Sequence, residues 1–216
     1  MKLLRGAFLV LTSALVLVLL TGRGATAGPP TDQLRESIDR ALKALEDPDL
    51  RKEHRTGERR ATLRRIAQEA FDFEEMTKRT LARHWQGRTP AEQKEFVQLF
   101  ADLMERSYVS KIEVYAGEKI RYAAESVEGG QATVRTKIVT KQGTEVPVDY
   151  RMYWRGDRWL VYDVVIEGIS LVANYRSQFN TIIQTSTYQN LVTRLKTTAV
   201  SVAEIEKVKG TTALKP

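Results

Sequence analysis

The chain contains no cysteine and only two histidines, His54 and His84, among its 216 residues. The missing cysteine excludes disulfide bonds, thiolate metal sites and cysteine nucleophiles. Neither histidine lies in a metal-binding pattern such as His-Glu-x-x-His, and the sequence has no Gly-x-Ser-x-Gly elbow and no glycine-rich phosphate loop. We therefore expect no enzymatic activity, no metal and no cofactor.

Long hydrophobic runs are also missing, except near the N-terminus, where the apolar stretch 7–20 follows Lys2 and Arg5. This stretch is too short to span a membrane, and residues 25–27, Ala-Thr-Ala, match a signal-peptidase site. The pattern predicts a cleaved signal peptide at residues 1–27 and export of the remaining chain.

Charge of one sign does not dominate the chain either. Removal of residues 1–27 would leave 189 residues and lower the formal net charge from +7 to +4, because three basic residues and no acidic residue lie there. So small an excess is not typical of nucleic-acid binding, and we expect no nucleic-acid partner. The remaining length suits one domain, which we place at 28–205, followed by a disordered tail at 206–216.

A basic run stands between residues 51 and 65. Its members are Arg51, Lys52, Arg55, Arg59, Arg60, Arg64 and Arg65. Leu63 and Ile66 are spaced for the inner side of a helix, so the run is interpreted as a solvated helix face. The alternative is attraction to an anionic membrane surface or an acidic partner.

Start signals predict four helices besides the one that carries this basic run. They are a helix at 31–46 with Thr31 as its cap, a short helix at about 73–85 opened by Asp72 and Glu75, a long helix opened by Thr89-Pro90-Ala91-Glu92, and a last helix opened by Ser186-Thr187-Tyr188-Gln189. The long helix is apolar over much of its circumference, which predicts a position between two layers or beside a cavity.

Four strands are predicted at about 119–127, 131–140, 145–154 and 159–166, linked as hairpins by glycine-containing turns. Three-residue loops in the first two hairpins would set Ile120 opposite Ile138, Ala124 opposite Val134, and Ile138 opposite Val148. A two-residue turn in the third would set Trp154 opposite Trp159 and Met152 opposite Val161.

This register collects the apolar side chains on one face of the sheet, which then needs helices to cover it. The predicted face consists of Ile120, Tyr122, Ala124, Val134, Thr136, Ile138, Val148, Tyr150, Met152, Trp154, Trp159, Val161 and Val165. The last strand is apolar on both sides, so it is either covered twice or bulged. Asp163 would lie on the apolar face opposite Tyr150, and we interpret it as a buried structural carboxylate rather than as an acid or base acting with Glu167.

The strand at 159–166 leads directly into an amphipathic helix at about 171–184, for which Ser170 is the predicted cap. Gly168 at this junction is either a hinge or a tight turn that needs a positive φ. Arg176 on the helix could reach a phosphate, remain an exposed surface residue, or pair with Glu167.

The segment Tyr162–Phe179, YDVVIEGISLVANYRSQF, together with 71–76 (FDFEEM), Leu81, His84-Trp85 and Thr89-Pro90, resembles the MlaC family of periplasmic phospholipid-binding proteins, also known as the toluene-tolerance family. The resemblance covers nearly all of the mature chain. One departure is Ala82, where the family pattern leads us to expect glycine; alanine is the better residue for a helix interior.

The resemblance implies an α+β fold, NTF2-like or cystatin-like, in which helices cover one face of a four-stranded antiparallel meander sheet and enclose an apolar cavity. It implies a monomeric periplasmic carrier of phospholipid between an outer-membrane lipoprotein–porin complex and an inner-membrane ABC transporter with a lipid-tunnel domain. A hopanoid-associated member of the same family, and a periplasmic interaction module that binds no lipid, are the alternatives.

We expect the cavity between the apolar sheet face and the helices at about 90–115 and 171–184. The residues predicted to contact lipid are Phe100, Leu103, Tyr108, Ile112, Val134, Ile138, Val148, Tyr150, Met152, Val161, Ile169, Leu171, Val172, Tyr175 and Phe179.

Overall fold

The computed structural model describes residues 29–113, residue 115 and residues 117–197, and both predicted terminal segments, the signal peptide and the tail, lie outside them. The helices are α1 (Pro29–Glu46), α2 (Thr56–Ala70), α3 (Phe73–Leu81), α4 (Pro90–Glu113), α5 (Leu171–Thr185) and α6 (Tyr188–Lys196). The strands are β1 (Lys119–Glu128), β2 (Gln131–Val139), β3 (Glu145–Arg155), β4 (Arg158–Ile166) and β5 (Ile169–Ser170). Among these residues no helix has both the length and the apolar character needed to cross a bilayer.

Two predicted helix starts are confirmed by their capping hydrogen bonds. At α4 the Glu92 amide donates to Oγ1 of Thr89 at 3.2 Å, and the Thr89 amide donates to Oε2 of Glu92 at 2.8 Å. At α3 the Asp72 carboxylate accepts a hydrogen bond from the Glu75 amide at 2.9 Å. Both pairs satisfy amide groups that a first helical turn otherwise leaves without partners.

Two other predicted caps are wrong. Helix α1 begins at Pro29, so Thr31 lies inside its first turn, where its amide and hydroxyl both donate to the Glu125 carboxylate at 2.8 and 2.6 Å. Helix α6 is capped by Thr187, whose hydroxyl accepts from the Asn190 amide, and not by Ser186. In both places neighbouring residues offer equivalent capping groups, so the local pattern leaves the start uncertain by one or two residues.

The sheet is an antiparallel meander in the order β1-β2-β3-β4-β5. The prediction of four strands is short by one, because Ile169 and Ser170 turn back and pair with Ile166 and Val165. The turn that joins the end of β4 to β5 is Glu167-Gly168, and both residues have positive φ, 50° and 82°. Positive φ at both central residues is characteristic of a two-residue hairpin turn, and it explains how a strand can lead into α5 within four residues.

The first hairpin differs from the prediction near its turn. Ile120 lies opposite Ile138 as expected, but a bulge between Tyr122 and Ala124 sets Ala124 opposite Arg135, so the predicted Ala124–Val134 pair is wrong. The turn has two residues, Gly129-Gly130, instead of three. Because a one-residue change reverses the faces, the bulge restores the apolar side chains of the other half of β1 to the inner face.

The second hairpin has a longer loop than predicted. Ile138 lies opposite Val146 and Thr136 lies opposite Val148, so the predicted Ile138–Val148 pair is wrong by two residues. The loop of residues 140–144 is closed by the Thr140 amide, which donates to the Thr144 carbonyl at 2.9 Å. A shift of two residues preserves the face on which each side chain lies, so the apolar face is retained.

The third hairpin confirms the pairs Trp154–Trp159 and Met152–Val161. Beyond them Tyr162 is an extra residue, so Asp163 lies opposite Arg151 and not opposite Tyr150. The bulge moves Asp163 and Val165 to the outer face and Val164 and Ile166 to the inner face, which corrects the predicted side for Asp163 and Val165.

Strand β4 is therefore both bulged and covered twice. Its buried residues come from both faces, and they are Trp159, Leu160, Val161, Asp163, Val164 and Val165. Its free edge is occupied by β5 at one end and by Phe71-Asp72 at the other, where the Asp72 amide donates to the Val161 carbonyl at 2.9 Å. The strand is thus the centre on which the sheet and the helices meet.

The basic run lies on α2 and the turn before it, and Leu63 and Ile66 are the buried residues of that helix. Several of its side chains are engaged in ion pairs: Lys52 with Asp49, Arg55 with Glu58, and Arg64 with Glu105 of α4. This arrangement agrees with a solvated helix face.

Helix α3 ends at Leu81, and Ala82 begins a short 3-10 turn, Ala82–His84. Ala82 has φ 47° and ψ −119°, a backbone conformation that glycine adopts freely and that is strained for alanine. The expectation of a helix interior at this position is wrong. The glycine of the family pattern is explained by this backbone conformation.

Candidate functional site

The described residues contain three apolar clusters, the smallest of which joins Ala44 and Leu45 of α1 to Leu63 of α2. A helical cluster joins α3, α4, α5 and α6, and a sheet cluster joins the inner face of β2–β4 to Leu34 of α1 and Leu171 of α5. Phe71 and Tyr108 pack against both. These two residues therefore mark the junction at which the sheet and the helices share one interior.

The helical cluster is closely packed around three aromatic rings of α4 and α5. The ring centroids of Phe100 and Tyr175 are 5.6 Å apart and nearly perpendicular, and those of Tyr175 and Phe179 are also 5.6 Å apart. Such edge-to-face packing stabilises a core and fixes the side chains in place. These residues consequently hold α5 against α4.

The inner face of the sheet changes character along its strands. Near the Gly129-Gly130 turn Ala132, Val134, Met152, Trp159 and Val161 are buried, whereas Val127 and Trp154 on the same face are 53% and 48% exposed. Toward the 140–144 loop Val148 and Val164 are buried, but six other apolar side chains of this face remain partly accessible to solvent. These accessible residues, called here the open apolar patch, are Ile120, Tyr122, Ile138, Val146, Tyr150 and Ile166.

The open apolar patch also contains two phenols whose surroundings keep them neutral. Burial, followed by the nearby Tyr122, raises the pKa of Tyr150 to about 12. Burial, followed by the charge of Asp39, raises the pKa of Tyr122 to about 12. The Tyr122 hydroxyl is buried, and no hydrogen bond to it is found among the described residues. Burial disfavours the phenolate at both positions. The Arg35 guanidinium lies over the Tyr122 ring, 4.5 Å from its centroid, so one margin of the patch is charged.

The structure places the predicted lipid-contacting residues in the helical and sheet clusters and at their margins. In the helical cluster are Phe100, Leu103, Val172, Tyr175 and Phe179; in the sheet cluster are Val134, Val148, Met152, Val161 and Leu171, with Ile138 and Tyr150 partly buried against it. Tyr108 joins the clusters, Ile169 is partly buried in β5, and Ile112 is 44% exposed. Which of them contact a ligand remains a prediction.

Sequence reasoning missed the contribution of α1 to this interior. Leu34 is buried in the sheet cluster, and Ile38 packs against the same cluster one helical turn later. The apolar face of α1 was recognisable from its spacing, but its packing partner was not, because the strands it covers lie about a hundred residues further along the chain.

Asp72 connects α3 to the sheet. Its carboxylate accepts hydrogen bonds from the Tyr153 hydroxyl and from the Arg155 guanidinium, in addition to the Glu75 amide. Burial alone would raise the pKa of Asp72, but the Tyr153 hydroxyl, the Glu75 amide and Arg155 together outweigh burial and hold that pKa below its ordinary value. The carboxylate is thus ionised and fully engaged in structure.

Asp163 has a corresponding role at the start of α5. It accepts hydrogen bonds from the Ser170 hydroxyl at 2.6 Å, from the Val172 amide at 3.0 Å and from Arg151 at 3.0 Å. Three donors on one carboxylate that is 2% exposed leave little capacity for proton transfer. The structural interpretation of Asp163 is therefore favoured over an acid–base role.

His84 also makes a structural contact, since its Nε2 lies 3.1 Å from the side-chain oxygen of Asn180 in α5. In the part of the chain that the structure describes, no group of three or more His, Cys, Asp or Glu side chains could hold a metal ion.

Together these features define a class: an α+β domain in which one meander sheet and a group of helices share an apolar interior. The family model described as MlaC protein matches residues 35–197. The chain therefore belongs to the MlaC family, and the resemblance found in the sequence is confirmed.

Individual relatives agree with this assignment. The intermembrane phospholipid transport system binding protein MlaC of Haemophilus influenzae is 19% identical over 197 residues, which cover 89% of this chain and 92% of the relative. The structure of a phospholipid-binding protein from Ralstonia solanacearum in complex with a phospholipid matches with a TM-score of 0.69 and 24% identity, and the match covers 78% of this chain and 96% of that protein. At this identity the structural match establishes the shared fold.

Proposed function

We propose that this protein binds a phospholipid and carries it between membranes as a periplasmic shuttle. The observation that carries the proposal is membership of the MlaC family. It is supported by a relative named for intermembrane phospholipid transport and by a structural neighbour that holds a phospholipid. The open apolar patch supplies a surface of the required chemical character within this chain.

The energetics of transfer require the acyl tails to be enclosed. A phospholipid with about 30 buried methylenes would lose about 24 kcal/mol on entering water, at ~0.8 kcal/mol for each methylene. A carrier must supply most of this transfer free energy through its own apolar contacts with the tails, while the charged head group remains in solvent. One tail spans roughly 15 Å, half of a bilayer core, which equals about five strand residues.

The open apolar patch is the surface to which we assign the acyl tails. It extends from Tyr122, Tyr150 and Ile166 toward Ile138 and Val146 near the 140–144 loop, so an acyl chain can lie along the strands. Ile38 of α1 and Tyr108 of α4 pack against the same sheet cluster and would form the opposite wall. The buried Tyr122 hydroxyl offers a donor to an ester carbonyl at that position.

The proposed cellular role follows from the family. A shuttle would collect lipid from, or deliver it to, an outer-membrane lipoprotein–porin complex and an inner-membrane ABC transporter with a lipid-tunnel domain. The carrier needs no catalysis and no cofactor for this exchange, because the lipid is moved and not changed.

Mass spectrometry of lipids that co-purify with the natively extracted mature protein tests the proposal. The expected result is a phospholipid at close to one molecule per protein. A polycyclic hopanoid in its place would identify the related carrier instead. Protein that contains no lipid, and that extracts none from phosphatidylglycerol–phosphatidylethanolamine vesicles, would contradict the proposal and favour an interaction module.

A further inference from the structure

A surface cleft of about 380 Å³ lies between the end of α3 and the exposed side of α5. This cationic cleft is lined by Leu81, Ala82, Arg83, His84, Ala173, Arg176, Ser177 and Asn180. None of these residues is acidic, whereas Arg83, His84 and Arg176 are basic. The cleft is distinct from the open apolar patch, with which it shares no residue.

One wall of the cationic cleft is held in place by Asn180 of α5. Nη2 of Arg83 donates to the Asn180 side-chain oxygen at 2.8 Å, and Nε2 of His84 lies 3.1 Å from the same oxygen. The amide nitrogen of Asn180 donates in turn to Gln184 at 3.0 Å. These contacts orient a guanidinium at the cleft before any ligand arrives, which lowers the entropy cost of binding.

The backbone at the cleft is strained to make this arrangement. Ala82, with φ 47° and ψ −119°, turns the chain from α3 into the short segment that carries Arg83 and His84. Strained conformations of non-glycine residues cost on the order of 1–3 kcal/mol and occur preferentially at functional sites. The strain is an observation independent of charge, and it coincides with the floor of the cleft.

Arg176, on the α5 side, has capacity to bind a ligand. Its side chain is exposed and has no hydrogen bond or ion pair in the part of the chain that the structure describes, so it does not pair with Glu167. Ser177 beside it is also exposed. The cleft thus offers an unoccupied guanidinium opposite an oriented one, with a hydroxyl between small alanine residues.

We propose that the cationic cleft is a docking site for an acidic segment of a partner protein, with a carboxylate inserted between Arg83 and Arg176. Guanidinium groups bind carboxylates through paired, charge-assisted hydrogen bonds. A concave cleft between two helices admits a side chain, whereas a flat bilayer surface cannot follow it. Such a contact would orient the protein on its partner and accelerate their encounter.

The proposal can be tested by titrating the 15N-labelled mature protein with an acetylated tetraglutamate amide and with the matching tetraglutamine peptide. The Glu peptide should shift backbone amide signals at Leu81–His84 and Ala173–Asn180, and the Gln peptide should not. Combined Arg83→Gln and Arg176→Gln substitutions should weaken binding by roughly tenfold or more. The control Arg194→Gln removes the same charge from α6, where Arg194 contacts Asn190 of its own helix, and should leave binding unchanged.

Three results would overturn the proposal. They are Glu-peptide shifts located elsewhere, equal weakening by Arg194→Gln, and shifts of the same amides by inorganic phosphate or phosphatidylglycerol vesicles but not by the Glu peptide. Lipid content measured on the same variants separates this site from the carrier function. It should be unchanged in the double variant, because neither arginine belongs to the open apolar patch.

Discussion

The hydroxyl of Ser170 lies 2.6 Å from a carboxylate oxygen of Asp163 and at the same time accepts the Ala173 amide at 3.0 Å. A single side chain therefore both caps α5 and ties it to the sheet. The Asp163 carboxylate also accepts a hydrogen bond from the Val172 amide. Two amides in the first turn of α5 are therefore bonded to side chains of the sheet, one to Ser170 of β5 and one to Asp163 of β4. This connection fixes the direction in which α5 leaves the sheet and crosses the helical cluster.

Replacing Asp163 should destabilise the protein without affecting any chemistry. We expect Asp163→Asn to lower the free energy of unfolding by about 1–3 kcal/mol, because the amide group cannot accept from all three donors. Urea denaturation measures the effect. Asp157→Asn in the turn between β3 and β4 is the matched control and should change the stability by less than ~0.5 kcal/mol. An Asp163→Asn protein as stable as the parent would contradict the role assigned to this carboxylate.

Asp72 should make stability depend on pH in the acid range. Its pKa is lowered in the folded protein, so it stabilises the fold above the ordinary carboxyl pKa of about 3.9 and loses this effect as the pH falls through the folded value. The stability difference between the parent and Asp72→Asn, about 1–3 kcal/mol at pH 7, should therefore shrink below about pH 4. Urea denaturation at a series of pH values between 7 and 2 measures it. A difference that is independent of pH would be inconsistent with the lowered pKa.

Ala82→Gly should stabilise the protein. Glycine adopts a φ of 47° without strain, and the gain of roughly 1–3 kcal/mol exceeds the ~1 kcal/mol that glycine costs through the unfolded chain. The same substitution at Ala61, on the exposed side of α2, should instead cost about 1 kcal/mol because alanine there is in a regular helix. Thermal unfolding of the two variants should give shifts of opposite sign. Destabilisation by both would mean that Ala82 is not strained.

Much of the fold was predictable, because its signals are local. The capping box at Thr89 and Glu92 acts over a few positions and was confirmed, as was the order of the hairpins, although the predicted lengths of the first two hairpin loops and the predicted sides of Asp163 and Val165 were wrong. The bulge before Ala124 and the extra residue Tyr162 were not predictable, since a bulge is selected by packing on both faces of a strand. The contact of Thr31 with Glu125 spans 94 positions, so no local pattern predicts it.

The sequence predicts the apolar character of the candidate site but not the position of each residue within it. Most of the predicted apolar residues lie in the interior, although Ile112 is 44% exposed. The sequence does not distinguish Phe100, which packs among aromatic rings, from Ile138, which remains partly accessible. Leu34 and Ile38 of α1 pack against this face, and no local pattern records which helix covers which strand. The sequence likewise does not show that Arg176 and Arg83 line the same cationic cleft, because they are brought together only by the fold.

The turn Glu167-Gly168 provides a test for a gate at the β4–α5 junction. If Gly168 acts as a hinge for lipid entry, closing a disulfide across the turn should slow exchange. Ile166 and Ile169 lie directly opposite each other, at a spacing that suits a disulfide, and the chain has no other cysteine. The Ile166→Cys/Ile169→Cys protein, once oxidised, should exchange lipid with vesicles at least roughly fivefold more slowly than when reduced. Equal rates would leave Gly168 as a turn residue alone.

The open apolar patch can be tested by placing a charge on one side of the sheet or the other. Ile138 faces the interior, and its neighbour Val139 points to the opposite face. Ile138→Arg should weaken phospholipid binding by roughly 100-fold, from the ~3 kcal/mol needed to place a guanidinium among acyl chains. The Val139→Arg substitution places the same side chain on the outer face of the sheet, and this variant should bind lipid as the parent protein does.

The measurement is the phospholipid-to-protein ratio after extraction from vesicles, with circular dichroism to confirm that both variants remain folded. Val146→Arg, directly opposite Ile138, should reproduce the loss if the patch contacts the tails. If Ile138→Arg and Val146→Arg bind lipid as well as Val139→Arg does, the tails lie elsewhere. The junction at Phe71 and Tyr108, where the helical cluster and the sheet cluster meet, would then be the next apolar region to test.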